Sequence, residues 1–249
     1  MFNLIDCPSA MYYSLRTLAQ ESAQSWPILM YHQLARPPRL SGNRGLFVSP
    51  WLFRKQMTEL RDAGYQSVSL AELAGNCAAG KITITFDDGF AHAFRVALPV
   101  LAECGFSAIQ YLVADCTINR WDADLGYPAY PLMDDFQVRD WLASGQDIGA
   151  HSLTHPHLTR LEPADARREI FESKARLEDR FQRPVVHFCY PYGDVNPVVR
   201  DLVVEAGFES ACSTGSGSNH GNLDPYRLRR WLVSHRRPVL AAWLPEYFH

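Results

Sequence analysis

The 249-residue sequence predicts a parallel α/β fold, and three observations carry that prediction. Short apolar runs alternate with helical patterns through short connections, the order expected of βαβ units. The apolar runs are nearly continuous, as in strands covered on both faces. No domain-sized linker or internal repeat interrupts the series, so a single domain follows. Seven or eight such units suffice to close a distorted (β/α) barrel, and an open doubly wound sheet is the competing arrangement.

Residues 1–26 read as an N-terminal extension, an irregular lead followed by a weak helix, and 27–249 as the domain. Ile28 to Tyr31 in PILMYHQ form a short apolar strand that ends at His32. The stretch 35–45, ARPPRLSGNRG, is a loop by its prolines and glycines. Ser49 and Pro50 supply an N-cap and a first helical position; Leu52, Phe53, Gln56, Met57 and Leu60 then give an apolar stripe, and Gly64 stops the helix. The pattern repeats as strand SVSL, short helix AELAGN, strand KITITF, helix AHAFRVALPVLAECG and strand SAIQYLV. A Trp/Tyr/Pro-rich connection over 117–134 lacks periodicity. After it come helix DDFQVRDWLASG, strand DIGAH, and helix PADARREIFESKARLEDRF with Ala166, Ile170, Leu177 and Phe181 on one face. Strand VVHFCYP, helix NPVVRDLVVEAG, strand ESACS and a final strand near RLRRWLV complete the series.

Composition narrows the function classes. Hydrophobic residues at 47% support a full core, while a net charge of −3 without basic stripes argues against nucleic-acid binding. The six cysteines (Cys7, Cys77, Cys104, Cys116, Cys189, Cys212) form no CxxC pair and read as reduced, buried thiols. No basic start with an apolar stretch and cleavage site opens the chain, and no run reaches the length of a membrane span. The expectation is a cytoplasmic protein with no transmembrane segment, or one working at the inner membrane surface.

Two clusters carry chemistry. In ITITFDDGF, Ile82, Ile84 and Phe86 alternate, so Asp87 and Asp88 stand at the strand's carboxyl end, where reactive groups of parallel sheets gather. Successive side chains point in different directions, freeing one aspartate for a metal and the other for substrate, and Gly89 permits a tight turn. In GAHSLTHPHL, His151 and His155 stand at a spacing that suits two metal ligands, while Pro156 argues for a strand-to-loop turn instead of a helix; His157 is a decoy candidate. Together these residues read as one divalent metal site with a spare acid, the equipment of a metal hydrolase. No glutamate lies between the histidines, so the base must come from elsewhere, and Asp87 is available. A solvated Asp-Asp-Gly turn and structural histidines are the bland alternatives.

TFDDG, HSxxH about sixty residues on, and a strand ending in YPYG resemble the NodB-homology polysaccharide deacetylases, carbohydrate esterase family four, from about Pro27 to Val233. The resemblance implies a barrel and assigns roles. Asp87 would be the catalytic base; Asp88, His151 and His155 the metal triad, with zinc as the default ion and cobalt, nickel or manganese as substitutes. The backbone N–H of Tyr192 would stabilise the oxyanion, and Tyr190 and Pro191 would line the groove. An arginine common in the family two residues before the proline is replaced here by Cys189, so its task of orienting the base passes to Arg230, with Arg229 next in line. The usual late histidine motif is missing, since His235 and His249 have poor contexts. ILMYHQ instead resembles the permuted arrangement of biofilm-type exopolysaccharide deacetylases, making His32 the general acid; a structural histidine at a strand end is the alternative. The segment NRWDADLGYPAYPLMD resembles the Asn-x-Trp-Asp loop of deacetylases from surface-polysaccharide gene clusters. Trp121, Asp122, Tyr127 and Tyr130 would then bind sugar, or the loop packs onto the barrel. The implied reaction is removal of N-acetyl groups from an amino sugar in a polysaccharide, oligosaccharide or lipid-linked glycan precursor. Amidohydrolysis of a non-sugar amide or imide, O-acetyl ester hydrolysis, and catalytically silent carbohydrate binding are the rival readings.

Overall fold

The computed structural model describes residues 26–37, 45–73, 80–122, 128–220 and 224–234. The expected N-terminal helix, most of the 35–45 loop, Tyr127, His235 and His249 lie outside them.

Among the described residues there are eight strands: β1 Ile28–Tyr31, β2 Gln66–Ser67, β3 Lys81–Phe86, β4 Ile109–Leu112, β5 Asp147–Ala150, β6 His187–Cys189, β7 Ser210–Cys212 and β8 Trp231–Leu232. The helices are α1 Pro50–Asp62, α2 Leu70–Leu73, α3 Ala91–Cys104, α4 Asp135–Ala143, α5 Pro163–Phe181 and α6 Pro197–Glu205. All strand pairings are parallel, in the order β7-β6-β5-β4-β3-β1-β8, with β2 beside the start of β3. Among the described residues one parallel bridge, between Cys212 and Leu228, joins β7 to the segment leading into β8. The sheet therefore curls back on itself as a distorted (β/α) barrel with one thin seam, in place of the open doubly wound alternative.

Burial follows the pleat. Ile82, Ile84 and Phe86 of β3 belong to the large cluster shared with Phe53, Met57, Ala97 and Trp141 of the helices. A smaller cluster, including Ile28, Ile109, Tyr111, Cys189, Cys212 and Leu228, fills the other side of the sheet. In α1 the cap is as expected: Ser49 Oγ accepts the Leu52 N–H at 3.3 Å, and Pro50 opens the helix.

Two strands are shorter than the sequence suggests. SVSL gives only the end of β2, because Ser69 and Glu72 exchange capping bonds: the Ser69 N–H donates to Glu72 Oε2 (2.8 Å) and the Glu72 N–H to Ser69 Oγ (3.3 Å), starting α2. The final strand near RLRRWLV contracts to β8, because the N–H groups of Arg229 and Arg230 turn to Asn219 Oδ1 and the Gly215 carbonyl, both at 2.9 Å. Cys104, Cys116, Cys189 and Cys212 carry free thiols. Among the described residues no helix is long and apolar enough to cross a membrane.

Candidate active site

The carboxyl ends of β1, β3, β5 and β6 meet at one end of the barrel, and each delivers part of a polar cluster. At the end of β3, Asp87 and Asp88 are both buried. Asp88 is in the left-handed region (φ 72°), as is Gly89 after it (φ 83°), so the chain turns sharply and the two carboxylates diverge. A Cβ on Gly89 would lie 3.0 Å from Leu112 Cδ2, which together with its φ requires glycine.

Asp87 faces a guanidinium. Arg230 donates from Nη1 to Oδ1 (2.6 Å) and from Nη2 to Oδ2 (2.7 Å), a bidentate pair inside the barrel. Arg230 is itself fully buried and anchored through Nε to the Ser213 carbonyl (3.0 Å) and through Nη1 to Thr85 Oγ1 (3.2 Å). Its Nη2 also lies 3.1 Å from Cys189 Sγ, so the guanidinium rests against the cysteine that stands in the third motif. His32, directly after β1, brings Nε2 to 3.6 Å from Asp87 Oδ2. Burial alone would raise the Asp87 carboxyl, but Arg230 and His32 reverse that and hold it below the ordinary carboxylate value. Burial lowers the His32 pKa, against an upward pull from Asp87 and Asp88.

Asp88 faces imidazoles. Its Oδ1 lies 3.3 Å from His151 Nε2 and 3.3 Å from His155 Nε2. Burial would raise this carboxyl, yet the two histidines hold it far below the usual range. The His151 Nδ1 is 2.7 Å from the Cys189 carbonyl, which can only accept, so Nδ1 carries a proton and Nε2, the nitrogen that faces Asp88, is the one placed to ligate a metal. One carboxylate oxygen and two imidazole nitrogens within 4.8 Å of one another form a donor set for a divalent ion. Asp87, His151 and Cys189 meet the same distance criterion, but both oxygens of Asp87 are committed to Arg230, whose positive charge would repel a cation there.

The HSLTH segment is a loop, as Pro156 led us to expect, with Ser152 (φ 61°) and His155 (φ 68°) both left-handed. The His155 N–H donates to Ser152 Oγ (2.9 Å). From α5, buried Glu169 accepts the N–H groups of Leu153 and Thr154 (2.9 Å each) and the Thr154 hydroxyl (2.7 Å). Glu169 was not singled out in the sequence, although a carboxylate on the Ala166–Ile170–Leu177 face is the signal that would have found it.

The YPYG segment forms a 3₁₀ turn, Pro191–Gly193, with Tyr192 left-handed (φ 60°). Gly193 (φ 74°) packs so close to Thr214 that a Cβ would come within 2.0 Å of Thr214 Oγ1. Thr214 Oγ1 donates to the Tyr192 carbonyl (3.3 Å). The Tyr192 ring is part-exposed, between His155 and His157. Tyr190 and Pro191 depart from the expected groove lining: both are buried, with the Tyr190 hydroxyl donating to the Tyr226 carbonyl (3.0 Å). Their aromatic and ring surface packs into the core and leaves Tyr192 to face outward. His157 is bonded to Asp194 through Nδ1, away from the donor set.

In the Asn-x-Trp-Asp segment, Trp121 stacks on His155 (4.3 Å between centroids, 21°) and also packs against the core. Asp122 is buried; burial first, then the charge of Asp88, raises its carboxyl to about 6, while the bond from Asn119 Nδ2 (2.9 Å) opposes the rise. Tyr130 packs edge-on to Phe90 and His92.

Comparison with known proteins identifies the family and the fold. The model of the family "Polysaccharide deacetylase" matches residues 74–211, more than half of the chain. A putative polysaccharide deacetylase of Bacillus subtilis is 26% identical over 220 residues, covering 86% of this chain and 73% of that protein. A polysaccharide deacetylase structure from Bacillus cereus superposes with a TM-score of 0.74 at 25% identity, covering 87% of this chain and 67% of that one. The deacetylase PplD of Streptococcus pyogenes, solved in complex with acetate, has the same fold (TM-score 0.77, 22% identity, covering 88% and 96%). The chain belongs to the polysaccharide deacetylase family, hydrolases that act on acetylated carbohydrates.

Proposed function

We propose that this protein is a metal-dependent N-deacetylase acting on an N-acetylated amino sugar in a polysaccharide, oligosaccharide or lipid-linked glycan precursor. The observation that carries the reading is the division between two adjacent carboxylates. Asp87 is locked onto Arg230 beside His32, while Asp88 turns to His151 and His155. Asp88, His151 and His155 would hold one divalent ion, zinc by donor type, with cobalt, nickel or manganese as substitutes. When bound, that ion supplies Lewis acidity, polarising an acyl oxygen and making a water more acidic.

The chain's own residues do the rest. Asp87, kept ionised by Arg230, takes a proton from the attacking water. The backbone N–H of Tyr192 donates to the oxyanion that develops on the acyl oxygen. His32 delivers a proton to the departing nitrogen, leaving a free amine and acetate, and its 3.6 Å separation from Asp87 supports that pairing of acid with base. Trp121, Asp122 and Tyr127 would contact the sugar, with Tyr190 and Pro191 backing the turn that carries Tyr192.

The test is acetate release from a panel of N-acetylated sugars, O-acetylated sugars and non-sugar amides, with metal content measured on the same samples. N-acetyl amino sugars should release acetate, chelation should stop the release and zinc should restore it. Turnover of the esters or non-sugar amides alone would overturn the reading. His32→Ala should reduce turnover by about a hundredfold; near-normal activity in that variant would remove His32 as the acid.

A further inference from the structure

The two imidazoles of the candidate metal site are held in different ways. His151 has its second nitrogen on the Cys189 carbonyl at 2.7 Å. His155 Nδ1 is buried and has no hydrogen-bond partner among the described residues. The usual device for orienting a metal-ligating histidine is a hydrogen bond to its second nitrogen, and at His155 that device is missing. Its ring instead lies between aromatic groups: the Trp121 indole nearly parallel at 4.3 Å, and the Tyr192 ring edge-on at 4.7 Å.

Resting on the metal reading above, we propose that Trp121 is a positioning residue: its indole fixes the plane of the His155 imidazole, the task that the Cys189 carbonyl performs for His151. The Asn-x-Trp-Asp tetrapeptide is built to hold that indole. Asn119 and Asp122, both buried, bond across the turn from Asn119 Nδ2 to Asp122 Oδ2 at 2.9 Å, and the Asn119 N–H donates to the Tyr130 carbonyl at 2.8 Å. The turn is thereby closed around Trp121, which stands between these two residues and faces His155. The His155 backbone is fixed by its own N–H bond to Ser152 Oγ, so the side-chain torsions are what the stack has left to restrain. A ligand imidazole free to rotate loses affinity because its lone pair must be ordered on binding.

The experiment is zinc binding to protein stripped with a chelator, measured by competition with a chromophoric chelator, for the wild-type chain, Trp121→Leu, Trp121→Phe and His151→Ala. Trp121→Leu should bind zinc about 10- to 100-fold more weakly. Trp121→Phe, which keeps an aromatic face, should recover most of the loss. The stripped wild-type and variant proteins should melt alike, and Trp121→Gln serves as the non-aromatic variant if the leucine protein does not fold. Wild-type zinc affinity in a folded non-aromatic variant overturns the proposal, and a rise in KM for the sugar with that affinity unchanged would make Trp121 a substrate platform only. If His151→Ala itself binds zinc like the wild type, the metal reading has failed; if it does not, and the Trp121 variants do, only the stacking role has.

Discussion

Asp87 and Asp88 are sequence neighbours, both buried at the end of one strand, yet their surroundings have little in common. Around Asp87 every oxygen is matched by a guanidinium nitrogen, and the arginine is tied in turn to Ser213 and Thr85. Around Asp88 the neighbours are imidazole nitrogens at 3.3 Å, backed by rings, with the supporting carboxylate of Glu169 one layer out. The first environment is electrically complete without any guest, because a buried anion already has its cation. The second gathers one carboxylate oxygen and two imidazole nitrogens, the donor set that a divalent ion takes. A change of direction by one residue, made possible by positive φ at Asp88, separates a group suited to moving protons from one suited to holding metal.

That contrast can be broken most severely at the Asp88 side. His151→Ala should leave the purified protein without stoichiometric metal and reduce acetate release to background, as metal analysis and turnover measured together will show. Asp87→Asn should separate the two halves: metal content stays at the wild-type level while turnover falls about 10²- to 10⁴-fold. Normal turnover in this variant would mean that Asp87 is not the base.

Arg230→Ala sharpens the contrast through pH. The pairing with Arg230 lowers the Asp87 pKa and burial raises it, so removing the arginine leaves burial dominant and the carboxyl moves up. The acidic limb of the activity profile should therefore shift to higher pH. Leaving a buried carboxylate unpaired should also cost about 3–5 kcal/mol of stability, visible in denaturant unfolding. An unmoved limb would show that the pair does not set the protonation of the base. The smallest expected effect is that of Glu169→Ala, which loosens the HSLTH loop from outside: zinc affinity should fall about tenfold, with the pH profile of the metal-loaded enzyme unchanged.

The sequence made some of this legible and hid the rest for physical reasons. KITITF could be read as a strand because Ile82, Ile84 and Phe86 alternate along it, and DIGAH because it falls between two helical patterns; reactive residues then follow at the carboxyl ends. Asp87, Asp88, His151 and His155 were visible on that basis, and the structure brings the last three together. Arg230 could be nominated only because the third motif carries Cys189; no periodicity links positions 87 and 230. The left-handed backbone at Ser152, His155 and Tyr192 left no trace either, since none is glycine and each is held by later contacts. Tyr190 looked like a groove residue through its company in YPYG, but strand alternation turns it inward to Phe188 and Tyr226. Ser69 and Glu72 carried a readable helix signal that the alternating run SVSL obscured.

The bond between Arg230 and Asp87 spans 143 positions of chain. During synthesis Asp87 and its strand emerge long before Arg230 exists, so the early barrel holds a carboxylate whose counter-charge has not yet been made. Closing so long a loop is slow and entropically costly, and until it closes the thin seam at Leu228 and β8 stays open to water. A chain truncated before residue 230 should therefore leave Asp87 without its counter-charge and the seam at Leu228 without β8.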